Sequence, residues 1–175
     1  MTRLKLQIVC ECLLLLIPLN IYCIGDYLAT GIQWALFRYQ TSALGNSLIF
    51  VNRDLLYVSG GILKGSSATS TLVWIAGTVC LVAALIVLIW AAVQEMAGTV
   101  KYAGILTILG GLLFFAAMLV QYGPALANQH GYSLPVGVPI VIVTGCWLAF
   151  GQTPGTGDSP REKSEPQEDA GRPDE

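Results

Sequence analysis

Four stretches of the chain are too apolar to be left in water, and they limit what it can fold into. They cover residues 6–24, 72–93, 102–120 and 134–150. A hydrocarbon layer roughly 30 Å thick is crossed by about 20 helical residues rising 1.5 Å each. The first three stretches are long enough. The fourth is short and carries Pro135 and Pro139, but both fall in its first turns, where a missing N–H costs least. Charged side chains make up only 11% of the 175 residues, against about 25% in an ordinary soluble domain. The sequence therefore predicts an all-α membrane protein, a four-transmembrane-helix bundle over 1–150 with these stretches as its spans.

Arg3 and Lys5 before the first stretch also suit the n-region of a signal peptide. The residues that follow, Asn20-Ile21-Tyr22-Cys23-Ile24-Gly25-Asp26, offer no Ala-x-Ala site, and Tyr22 before Cys23 spoils a lipoprotein reading. The stretch is read as a retained helix. In the second, Trp74 and Trp90 sit where interfacial anchors would. The third opens at Lys101 and ends in Gln121-Tyr122-Gly123-Pro124. Residues 26–70 are neither polar enough to be a plain loop nor apolar enough to cross. Their first part is rich in aromatic residues, which suits an amphipathic helix at the headgroups; their second is two apolar patches divided by Asn52-Arg53-Asp54. A second interfacial helix, a re-entrant hairpin or a pair of short strands would each fit, with helix favoured on context. Residues 151–175 hold no large apolar side chain and are expected to form a disordered acidic cytoplasmic tail.

With four spans, Arg3, Lys5, Lys101, Arg161, Lys163 and Arg172 fall on one side, and Arg38, Arg53 and Lys64 on the other. The positive-inside rule then places both termini in the cytoplasm, 26–70 outside, and the protein in a membrane, expected to be the plasma membrane. The lipid bilayer is one expected partner, and another membrane protein or a second copy is a second. Nine Lys+Arg against eleven Asp+Glu lack the basic excess of a nucleic-acid binder.

Glu11 is the one acidic side chain inside a predicted span, and is thus the candidate functional residue, since intramembrane carboxylates are costly to bury. It can act as a proton or cation relay, contact a partner's helix, or rest near the interface beside Lys5 or Lys101. Cys10 and Cys12 flank it, but residues two apart on a helix point about 200° away from each other and cannot share a metal. Cys23, Cys80 and Cys146 also lie in or beside spans, so no disulfide-stapled external domain is expected. His130 is the sole histidine, and Asp26, Arg53, Asp54, Glu95 and Lys101 read as solvated charges. No phosphate-binding glycine loop, nucleophile elbow or His-Glu-x-x-His pair occurs.

These features predict no enzyme, no cofactor and no metal. They favour a non-catalytic accessory, assembly or sensing component, with a small oligomeric transporter or channel using Glu11 as the alternative. An enzyme acting on a lipid would need Glu11, Asp26 and His130 to converge, which the topology opposes. A long first external segment also occurs in tetraspanning junction proteins, but their tryptophan and paired-cysteine signature is missing: Trp34 stands alone and 26–70 holds no cysteine.

Overall fold

The first apolar stretch does not continue as a helix. In the computed structural model α1 (Thr2–Leu16) stops just before Pro18, and the chain re-enters as strand β1 (Asn20–Ile24). Proline lacks the N–H that a helix interior needs and biases the preceding residue toward extended backbone. The Asn-Ile-Tyr-Cys-Ile sequence beyond it is rich in β-branched and aromatic side chains that suit a pleated surface. The structure describes residues 2–25, 28–94, 97–129 and 131–151. Asp26, Glu95, His130 and the predicted tail from 152 onward lie outside the described residues.

Strands β2 (Ala29–Gln33), β3 (Phe37–Ser42) and β4 (Gly45–Phe50) follow, then a short helix α2 (Val51–Ser59) and the long helix α3 (Gly65–Gln94). A 3₁₀ turn at Ala97–Thr99 leads into α4 (Val100–Tyr122), and the chain closes with β5 (Ala127–Asn128), β6 (Gly131–Leu134) and α5 (Val138–Phe150). The strands form one six-stranded sheet in the order β4-β3-β2-β1-β6-β5, antiparallel throughout. This overturns the expected all-α bundle. Residues 26–70, read as helical in preference to strands, supply three of the strands. Hydropathy alone could not tell: a half-buried strand and an interfacial helix have the same mean composition, and they differ only in period.

The sheet's two faces differ. Asn20, Tyr22, Gly31 and Ser133 are buried on the inner one. The Tyr22 ring lies across Gly31, where any Cβ would collide with the phenol carbon bearing the hydroxyl, and its hydroxyl donates to Gln40 Oε1 at 3.3 Å. The turn between β2 and β3 docks the sheet onto the helices. Ala35 at its tip is fully buried, and its carbonyl accepts the Thr78 hydroxyl of α3 at 2.7 Å. Gly137 donates its N–H to Leu19 O at 3.0 Å, which ties the start of α5 to the start of the sheet.

Below the sheet, α3 and α4 run antiparallel in close contact. Ser70 Oγ donates to Ala117 O at 2.8 Å, and a Cβ on Gly77 would come within 3.1 Å of Gly110 O. The small residues Thr107 and Gly111 of α4 face away from α3: Gly111 lies against Val141 and Ile142 of α5, and Thr107 meets α1. Glycines at 77 and 110 make the α3–α4 contact instead. One apolar cluster near the sheet holds Leu14, Trp74, Leu81, Phe114, Met118 and Val141. A second, at the other end, holds Ala84, Leu88, Val100, Ala103 and Leu148, with Leu4 and Ile8 of α1 packed on it. Of these helices α3 and α4 are long and apolar enough to cross a membrane, and α5 is a shorter apolar helix.

Candidate functional site

Two polar places interrupt the apolar interior. The first is Glu11, on the inward face of α1 and 1% exposed. Its Oε1 lies 2.9 Å from Thr107 Oγ1, and Oε2 has no partner among the described residues. Thr107 Oγ1 also lies 3.0 Å from the carbonyl of Ala103, which can only accept. A hydroxyl carries one proton, so it cannot donate to both. The hydroxyl is shared between Glu11 Oε1 and Ala103 O as alternative acceptors, and Glu11 Oε2 stays unsatisfied within the described residues. Lys5 and Lys101, the cations considered for it, are exposed, and the one ion pair among the described residues is elsewhere.

A direct consequence is testable. Glutamine has the same shape and keeps an oxygen that can accept from the Thr107 hydroxyl, so Glu11→Gln should keep the fold within about 1 kcal/mol of the parent. Unfolding of the purified protein in detergent measures this; a large loss would mean the site needs a carboxylate.

The second place is a cavity of about 130 Å³ between the inner face of the sheet, α2, and the sheet-proximal ends of α3 and α4. Alternation along β1 aims Asn20 and Tyr22 toward it; β2 and β3 add Gln33 and Arg38, α2 adds Asp54, α3 adds Ser67, Ser70 and Trp74, and α4 adds Gln121 and Tyr122. Arg38 donates from Nη2 to Asp54 Oδ1 at 2.7 Å. Burial lifts the Asp54 carboxyl above the ordinary aspartate range, although the Arg38 guanidinium pulls the other way. Burial likewise raises the Tyr22 phenol, again against Arg38. Three buried polar atoms of this lining have no partner among the described residues: Asn20 Oδ1, Trp74 Nε1 and Arg38 Nε.

The residues singled out in the sequence do not converge. Glu11 belongs to the helix interior, while Arg53 is exposed, with its guanidinium 5.6 Å from the Tyr57 ring centre. Asp54, read as a solvated charge, is buried and paired. All five cysteines are free. Cys10 and Cys12 are both more exposed than Glu11 between them, as helical geometry requires. The sequence reading missed Asn20 and Trp74, because the first was placed inside a helix and the second at a lipid interface. Pro18 was the available signal for the first. Among the described residues no group of three or more His, Cys, Asp or Glu is placed to hold a metal ion. No protein-family model matches the chain, and no curated protein matches it either.

Proposed function

We propose that the protein is a non-catalytic, membrane-embedded component that holds its sheet outside the bilayer as a contact surface for another membrane protein. The observation that carries this reading is an apolar row across the outer face of the sheet. The register pairs Leu134 with Ile21, Ile21 with Ile32, Ile32 with Tyr39, and Tyr39 with Leu48. Cross-strand partners share a face, so these five side chains line up across five strands. Four of them are exposed and Ile32 is partly so. An ordered apolar row facing outward marks a contact site better than scattered apolar residues do.

The membrane reading is supported by the lateral surface of the helices. Val79, Ile86 and Val93 of α3, Ile105, Leu109 and Leu112 of α4, Val9 and Leu13 of α1, and Ile140 and Val143 of α5 are all exposed. Such a girdle exceeds what a water-soluble surface tolerates. Helices α3 and α4, about 45 and 34 Å long for their 30 and 23 residues at 1.5 Å each, would cross the layer, with α1 and α5 packed along them. Arg3, Lys5 and Lys101 lie at the end away from the sheet and Arg38, Arg53 and Lys64 at the sheet end; with Arg161, Lys163 and Arg172 following α5 in the sequence, the positive-inside rule favours a cytoplasmic position for the first end.

Transport through Glu11 is the second reading. It is favoured by the inward aim of Glu11 and opposed by Leu14, Leu81, Phe114, Met118 and Val141, each nearly or fully buried, which fill the interior between Glu11 and the cavity.

Purification in mild detergent with native partners, read by native mass spectrometry, tests the proposal. A stable hetero-complex is expected, and it should be lost in Ile21→Lys combined with Leu48→Lys while the melting temperature hardly moves, because both positions are exposed. A chain isolated alone from native membranes, or a complex indifferent to that pair of changes, would sink it.

A further inference from the structure

We infer that the cavity under the sheet is a binding site for a small zwitterion of the α-amino acid class, with glycine or alanine as the fitting size. An engineered cavity of about 150 Å³ accommodates benzene, with six heavy atoms. The roughly 130 Å³ found between sheet and helices therefore suits an organic molecule of five or six. Unlike that apolar example, this lining is built for polarity. Asn20 is 3% exposed and Trp74 5%, yet among the described residues Asn20 Oδ1 and Trp74 Nε1 have no hydrogen-bond partner, and neither does Arg38 Nε. Leaving a buried polar atom unpaired is costly, and three such atoms on one cavity wall call for a common occupant.

The chemistry of those atoms selects the occupant. Trp74 Nε1–H and Arg38 Nε–H are donors, and Asn20 Oδ1 is an acceptor. Arg38 is already neutralised by Asp54 at 2.7 Å, so the wall has no net charge to offer a lone anion or cation. A carboxylate would satisfy the two donors but leave Asn20 Oδ1 without a donor. An ammonium group would do the reverse. A molecule carrying both, with its carboxylate toward Trp74 and Arg38 and its ammonium toward Asn20 and Asp54, pairs every group and stays electrically neutral overall. This inference goes beyond the contact-surface reading and does not depend on it.

The test uses the full chain purified in detergent and isothermal titration calorimetry with glycine, with acetate and methylammonium as the two halves of the ligand. Saturable glycine binding is expected, with each half at least tenfold weaker. Trp74→Phe keeps an aromatic ring facing Phe114, whose ring centre lies 4.5 Å from that of Trp74, and removes the indole N–H together with the five-membered ring; it should weaken glycine at least tenfold while the unliganded protein still unfolds cooperatively. Asn20→Leu should do the same, and if it fails to fold the tryptophan variant carries the test alone. Absence of saturable glycine binding would mean a cavity for water only and would overturn the inference. So would acetate binding as tightly as glycine, which indicates an anion site, or binding unaffected by Trp74→Phe.

Discussion

Gly104→Leu is expected to separate α4 from α5 and to leave no stably folded protein. A Cβ at this position would land on the backbone of Ala149, within 2.8 Å of its Cα and of the Gly145 carbonyl, and closer still to its amide nitrogen. These obstacles are main-chain atoms of the facing helix, which no rotamer change can move. The facing residue is equally constrained, because a Cβ on Gly145 would lie 2.8 Å from the backbone nitrogen of Ile108. Overpacking a well-filled interior costs typically 1–3 kcal/mol, and here a whole side chain must be admitted between two backbones, so the loss should reach or exceed about 3 kcal/mol on that scale. A size series measures it: Gly104→Ala should already lower the melting temperature in detergent, and Gly104→Leu should abolish the cooperative transition or the yield of monodisperse protein. Leucine tolerated at parental stability would show that α5 is not held where the structure puts it. Van der Waals contact between small-residue surfaces is the main force joining helices where lipid already covers apolar side chains.

How much of this was legible in the sequence depends on what each signal measures. The two long apolar stretches became α3 and α4, because length and hydropathy are sufficient to specify a spanning-length helix. The first stretch holds a change of period, and the fourth overlaps a strand only at Leu134. Residues 20–24 and 131–134 are strands that pair with each other in register, and a pairing between residues more than 100 positions apart leaves no mark on a local window. Pro18 and Pro135 stand where strand meets helix at both places, a punctuation that could have divided the runs. Small residues along α4 are visible in the sequence, but the neighbour each one meets is not: Gly110 faces Gly77 of α3, whereas Gly104 and Gly111 face α5. Glu11 stood out in sequence because a carboxylate in an apolar run is costly. The cavity did not, since its members come from β1, β2, β3, α2, α3 and α4, and each alone has an ordinary explanation. Trp74 illustrates this, as its place near the end of an apolar run matches an interfacial anchor, yet it is buried against Phe114 beneath the sheet.

Arg38→Leu should destabilise the protein strongly at neutral pH and much less in acid. Removing one partner of a buried pair leaves an uncompensated charge, at about 3–5 kcal/mol. With the Arg38 and Asp54 side chains 20% and 10% exposed, solvent screens part of this, and the lower end near 3 kcal/mol is expected. The pH dependence follows from the direction in which Asp54 is already displaced. Burial holds its carboxyl above the ordinary 3.8 even with Arg38 beside it, and deleting Arg38 removes the cause that lowers it, so the folded-state value rises further. A carboxyl raised on folding binds its proton more tightly in the native state than in the unfolded one. Its contribution to stability is therefore present in full below the unfolded value and is lost as the pH climbs through the folded one. The deficit of Arg38→Leu relative to the parent should thus be largest above the raised value and shrink as the pH falls toward 4. Adding Asp54→Asn removes the titrating group, so the double variant should recover part of the neutral-pH loss and show a flat difference from the parent across the same range. Unfolding midpoints of the three proteins between pH 4 and 8 decide it. A deficit equal at every pH would mean that Arg38 supports the sheet through its packing on the cavity wall and not by answering the charge of Asp54.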